Sequence, residues 1–102
     1  EMTEDEMKTV WLESIDHYGK EKQSIVCMEE CAELIQAISK RLRGKPDPDN
    51  NLTEEMADVT ICLNLLKEMY GVKDCEIHEW VRRKTIRQAG RMSSETKSED
   101  AK

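Results

Sequence analysis

Two stretches of this chain carry carboxylates where an apolar helix has little room for them. The first is Glu29-Glu30-Cys31-Ala32-Glu33-Leu34, continuing as Ile35-Gln36-Ala37-Ile38. The second is Glu54-Glu55-Met56-Ala57-Asp58-Val59, continuing as Thr60-Ile61-Cys62-Leu63. In each, two acids stand three residues apart, about one helical turn, within a run of Ile, Leu, Val, Ala and Cys. An ionised carboxylate removed from water without a partner is strongly unfavourable. A fold that uses both helices must therefore answer these acids with a cation, a hydrogen-bond donor or a water-filled cleft.

The flanking punctuation predicts four helices and no strand. Residues 3–18 read as the first helix, with Thr3 as cap, Asp5 and Glu6 in the first turn, and Met7, Val10, Trp11 and Ile15 at helical spacing. Gly19 breaks the pattern. The second helix starts near Lys20–Gln23 and runs to about Arg43, with Lys40, Arg41 and Arg43 in its last turn and Gly44 just beyond. Residues 44–52, with two prolines, a glycine and an Asp/Asn run, read as a loop. Asn51 or Thr53 is expected to cap a third helix that ends near Tyr70, before Gly71. Asp74 is expected to open a fourth, carrying Ile77, Trp80 and Val81 to about Arg91. Residues 93–102 are rich in Ser, Glu, Lys, Asp and Thr, and read as a disordered tail behind a single domain over 1–92. The expected class is all-α, a four-helix bundle.

At 102 residues, with 37% charged side chains, 4% aromatics and no Phe, the chain has little from which to build a core. Domains of this size bury only about 60–65% of their unfolded surface, so homo-oligomerisation, as a homodimer or homotetramer, is expected to complete it. A net charge of −6 argues against binding a nucleic acid polymer or an anionic membrane surface. No run approaches the ~18 apolar residues of a membrane span. Cys27, Cys31 and Cys62 sit in apolar helical runs. Together with Cys75 they offer no CxxC or Cys/His zinc spacing, so they read as small core residues of a reduced, cytoplasmic protein.

On the third helix Glu55, Asp58, Cys62, Leu65, Leu66 and Met69 share one face at about 100° per residue. Ala57, Thr60, Asn64 and Lys67 make the opposite one, so Asp58 lies within the apolar stripe. On the second helix Glu30 and Glu33 share a strip with Val26 and Ala37, and Ile25, Met28, Cys31, Leu34, Ile35 and Ile38 leave little circumference for water. Glu29 sits to one side. A single ExxE is usually a solvated pair on a charged helix. Two such pairs on apolar stripes, joined by one loop, point instead to convergence of Glu30, Glu33, Glu55 and Asp58 between antiparallel helices. All-oxygen ligation suits Mg²⁺ or Mn²⁺ over zinc, copper or iron. The Glu-x-x-His pairs of a di-iron bundle are missing around His17 and His78.

The order EExxE (Glu29, Glu30, Glu33) then ExxD (Glu55, Asp58) resembles the MazG-like all-α nucleoside triphosphate pyrophosphohydrolases. The flanks His17-Tyr18-Gly19-Lys20-Glu21-Lys22-Gln23, Leu42-Arg43-Gly44 and Asn51-Leu52 add to the likeness, which covers about residues 8–91. The paired motif is fairly specific; each half alone is weak. The resemblance implies Mg²⁺-dependent hydrolysis of a nucleoside triphosphate between the α- and β-phosphates, to monophosphate and pyrophosphate. It gives Glu30, Glu33, Glu55 and Asp58 the metal role, with Glu33 also counted as catalytic, and Glu29 the orienting or deprotonation of water. Phosphoribosyl-ATP pyrophosphohydrolases belong to the same superfamily, and their flanks match less well. A metal-stabilised bundle that binds nucleotides or a partner without turnover is the non-enzymatic alternative.

Trp80, Lys84, Arg87 and Arg91 form a stripe on the fourth helix. It is either a solvated basic face or, for Lys84 and Arg87, a polyphosphate contact. Trp11 can be a core anchor or a base platform. Gln23 can reach a base or phosphate, or stand exposed at a helix start.

Overall fold

The computed structural model describes residues 1–47 and 51–100. Among these are four helices and no strand: α1 (Glu4–Tyr18), α2 (Lys20–Leu42), α3 (Asn51–Tyr70) and α4 (Asp74–Asp100). The chain divides into two compact units, Glu1–Gly71 and Val72–Lys102. The all-α expectation holds.

In the first unit each helix starts and stops for a local reason. Thr3 caps α1 through a capping box: its hydroxyl accepts the Glu6 N–H at 3.1 Å, and its own N–H donates to the Glu6 carboxylate at 3.4 Å. Gly19, at φ +91°, closes α1 and opens α2 in a single residue, a backbone conformation that side chains bearing a Cβ rarely adopt. Gly71, at φ +65°, follows α3 where the sequence places a stop.

The start of α3 differs from expectation. The helix already includes Asn51, so neither Asn51 nor Thr53 is its cap. The Asp47 carboxylate instead accepts the N–H groups of Asn51 (2.6 Å) and Leu52 (3.1 Å), and the Arg41 guanidinium holds it from the end of α2. These hydrogen bonds keep the Asp47 carboxyl below the usual carboxylate range. Residues 48–50 of the expected loop lie outside the described residues.

Packing is dominated by α2 against α3, with α1 laid on both. Cys27, Cys62 and Leu65 form the buried centre, and Trp11, Ile15, Leu66 and Met69 close around it. The stripe read on α3 is the buried one. On α2 the reading is corrected. Only Gln23, Cys27 and Ala37 are buried there, while Ile25, Val26, Met28, Ile35 and Ile38 are exposed. Two neighbouring helices cover one side of α2, and the other apolar side faces outward. The cysteine reading divides in the same way: Cys27 and Cys62 are core residues, whereas Cys31 and Cys75 are exposed, and all four are free thiols.

The second unit is α4, which begins at Asp74 as expected. Before it, the Lys73 N–H donates to the Glu76 carboxylate at 3.2 Å. The expected helix end near Arg91 is corrected, because α4 runs to Asp100. Gly90 costs a helix only about 1 kcal/mol relative to Ala. No proline follows it, so nothing in the polar segment forces a stop. Residues 101–102 lie outside the described residues. Among the described residues no helix is long and apolar enough to cross a membrane.

Candidate metal centre

The antiparallel packing of α2 on α3 brings the two acidic pairs face to face. One carboxylate oxygen from each of Glu30, Glu33, Glu55 and Asp58 lies within 4.8 Å of the other three. Glu55 is buried, Glu30 and Asp58 are half-buried, and Glu33 reaches the surface. The site is therefore closed at Glu55 and open beside Glu33.

Two oxygens in this cluster have no protein partner. Glu30 Oε2 and Glu55 Oε2 are each buried without a hydrogen bond. Buried acceptors in native proteins are almost always satisfied, and two unsatisfied oxygens on members of one carboxylate cluster are what cation ligands look like. The other Glu55 oxygen is oriented by the Asn51 side-chain amide, which donates at 3.3 Å. Asn51 stands four residues before Glu55, on the same helical face. That spacing was the sequence signal for this contact, and reading Asn51 as a cap hid it.

The electrostatics follow from the crowding. Burial, then the neighbouring Asp58 and Glu33, raise the Glu30 carboxyl from 4.5 to about 7. Burial, then Glu33 and Asp58, raise Glu55 as well. Four carboxylates so placed are mutually unfavourable unless positive charge or protons join them.

The donor set fits a hard divalent cation. Oxygens on opposite sides of a Mg²⁺ ion are at most about 4.2 Å apart. The observed spread exceeds that by roughly half an ångström, within reach of small carboxylate torsions. Water and substrate oxygens would complete six-coordination, and the open Glu33 side gives them access.

The remaining candidates fall elsewhere. Glu29 is exposed and outside the four-carboxylate cluster. Gln23 is buried, not exposed; its amide donates to Ser14 Oγ at 3.0 Å, and that hydroxyl donates to the Trp11 carbonyl at 2.7 Å. It ties α2 to α1. Trp11 is half-buried against the Cys27–Cys62–Leu65 centre, the place of a core anchor. Lys84 and Arg87 are exposed on α4 in the second unit. Nearby, Arg82 and Arg83 both pair with Glu79, and Arg83 lies 5.3 Å over the Trp80 ring. Among the described residues no salt bridge engages Lys84 or Arg87.

A polar cavity of about 360 Å³ opens between the end of α2 and the start of α3, lined by Lys40, Arg41, Asp47, Asn51 and Glu54 among others. Asn51, on its lining, is also the donor to Glu55. Sequence reading treated Lys40 and Arg41 only as helix-end charges, and the fold turns them toward this cavity.

No protein-family model matches the chain, and comparison with curated proteins and with solved structures gives no significant match.

Proposed function

We propose that this chain is a Mg²⁺-dependent nucleoside triphosphate pyrophosphohydrolase, cleaving NTPs or dNTPs at the α–β bond to monophosphate and pyrophosphate. One observation carries the reading: four carboxylates from two ExxE/D pairs meet within 4.8 Å, with an orphaned buried oxygen on each of Glu30 and Glu55. The resemblance of the ordered motif to MazG-like enzymes supplies the reaction class.

In this reading Glu30, Glu33, Glu55 and Asp58 hold the cation, with Mn²⁺ as a substitute. A divalent ion there supplies positive charge to the phosphates and acidifies the attacking water. The burial of Glu55 fixes the base of the site, and Asn51 keeps that carboxylate pointed inward. Glu33, at the open edge, is the ligand nearest to solvent and to an incoming triphosphate. Glu29, next to Glu30 but exposed, is assigned the orientation or deprotonation of water. For Gln23 and Trp11 the contacts with Ser14 and the core favour structural roles over substrate binding.

A second reading has a specific observation behind it. The cluster bridges α2 and α3, the principal helix contact of the first unit, so a cation there would also clamp the bundle without any turnover. A product-resolved assay over a panel of NTPs and dNTPs, with Mg²⁺ or EDTA, separates the two. Monophosphate plus pyrophosphate, abolished by EDTA and by Glu33→Ala with the fold retained, is the expected result. Diphosphate plus orthophosphate would refute the bond assignment. No product, with Mg²⁺ still raising the melting temperature, would favour the clamp.

A further inference from the structure

The joint between α2 and α3 holds a cavity that the carboxylate cluster does not use. About 360 Å³ in volume, it is bounded by Ala37, Lys40 and Arg41 on α2, by Asp47, and by Asn51 and Glu54 on α3. It adjoins the cluster along both helices. Ala37 stands one turn beyond Glu33, and Asn51 stands one turn before Glu55, to whose carboxylate its side chain donates at 3.3 Å. Glu33 is the open edge of the cluster, and Glu33, Ala37 and Lys40 follow at i, i+4 and i+7 on one face of α2. A chain of phosphates held at the cluster has this cavity as its continuation.

The charges in the wall are not equivalent. The Asp47 carboxylate, with only 12% of its side chain exposed, accepts from the Arg41 guanidinium at 3.0 Å and from the N–H groups of Asn51 and Leu52 at 2.6 and 3.1 Å. That contact commits Arg41, and Arg43 turns back to the Ser39 carbonyl at 3.3 Å. Glu54 is exposed in the first turn of α3, where water and the positive end of the helix dipole answer it. Lys40 is the exception. Among the described residues its ammonium has no ion-pair or hydrogen-bond partner, although two carboxylates line the same cavity. The remaining lining is Pro46, with no aromatic ring, so a nucleobase finds nothing there to stack on. A polyanion finds an uncommitted ammonium on a flexible stem.

We propose that this cavity is a phosphate site, in which Lys40 binds the terminal phosphates of the substrate and the pyrophosphate product. The identity of the ligand rests on the pyrophosphohydrolase reading. To that reading the site adds a cation of the first unit, placed against a charge that four carboxylates alone would repel.

The test is calorimetric titration of inorganic pyrophosphate into the full chain in excess Mg²⁺. Pyrophosphate should bind. Lys40→Gln should weaken it by about tenfold or more, and Lys40→Arg should stay within roughly threefold of wild type. Lys40 is exposed, so both variants should keep the helical circular dichroism of the wild type. Mg²⁺ affinity without pyrophosphate should be the same in all three proteins. Equal pyrophosphate affinity in wild type and Lys40→Gln overturns the proposal, as does the absence of pyrophosphate binding to the Mg²⁺-loaded wild type. So does a loss that Lys40→Arg fails to restore, since charge is then not what Lys40 supplies. A parallel fall in Mg²⁺ affinity also overturns it, because Lys40 would then act on the cluster. The readout does not depend on turnover, so the two readings fail separately. Hydrolysis of NTPs with unaltered pyrophosphate affinity in Lys40→Gln removes this site and leaves the enzyme. Lys40-dependent pyrophosphate binding without hydrolysis removes the enzyme and leaves the site.

Discussion

Replacing Glu30 by Gln should make the EDTA-treated protein more stable and the Mg²⁺-bearing protein less so. Glu30 is half-buried, one of its oxygens has no partner, and burial with Asp58 and Glu33 raises its carboxyl from 4.5 to about 7. Ionising such a group in the folded state costs at most about 3 kcal/mol. Partial exposure of the cluster screens that cost, leaving roughly 1–2 kcal/mol. The amide keeps the shape and removes the charge. At pH 8 in EDTA the melting temperature should rise by about 5–15 °C for a unit of this size. At pH 4.5 the wild-type carboxyl holds its proton and the difference should vanish. Adding Mg²⁺ should reverse the order, because an ion at 100 times its Kd adds about 2.7 kcal/mol to the wild type alone. Differential scanning calorimetry over that pH range, with and without the ion, reads all three. A Glu30→Gln protein less stable than wild type in EDTA at pH 8 would refute the reasoning, since the carboxylate would then be holding the helices together without a cation.

The same shift fixes a pH dependence. Because the folded Glu30 keeps its proton above the pH at which the unfolded chain releases it, stability in EDTA should fall as pH rises from about 4.5 to 7 and then level off. Mg²⁺ affinity should rise through that window, roughly tenfold per pH unit for each proton displaced, as isothermal titration would show. Asp58→Asn should lower turnover by at least about 100-fold with helicity intact; near-normal turnover would remove Asp58 from the site. Gln23→Leu should cost about 1 kcal/mol of stability through the lost Ser14 link and leave KM unchanged, whereas a substrate contact would raise KM severalfold. Asp47→Ala should free the first turn of α3, speeding amide exchange at Asn51 and Leu52. By loosening Asn51 on Glu55 it should also weaken Mg²⁺ binding by about tenfold or more.

The helices, their glycine stops and the four clustered carboxylates were legible in the sequence because each rests on local rules. Thr3 and Glu6 cap at fixed spacing, Gly19 and Gly71 take positive φ where a helix must end, and acids three residues apart share a face whatever surrounds them. On α3 the face read from Glu55, Cys62, Leu65 and Leu66 is the buried one, although Met56, Ile61 and Leu63 lie off it and stay exposed. On α2 periodicity could not choose a side, because apolar residues lie almost all round, and only the positions of α1 and α3 decide that Cys27 and Ala37 go inward while Met28 and Ile35 stay out. The same holds for Gln23, whose burial depends on Ser14 nine residues away, and for Asp47, which caps a helix that begins across a loop. Nor could spacing give the charge state of Glu30. Each acidic pair alone would be an ordinary solvated pair; only the approach of α2 to α3 turns two such pairs into four crowded carboxylates with two buried oxygens unanswered. Local chemistry determined which side chains each helix could offer, and tertiary packing decided which of them lost their water.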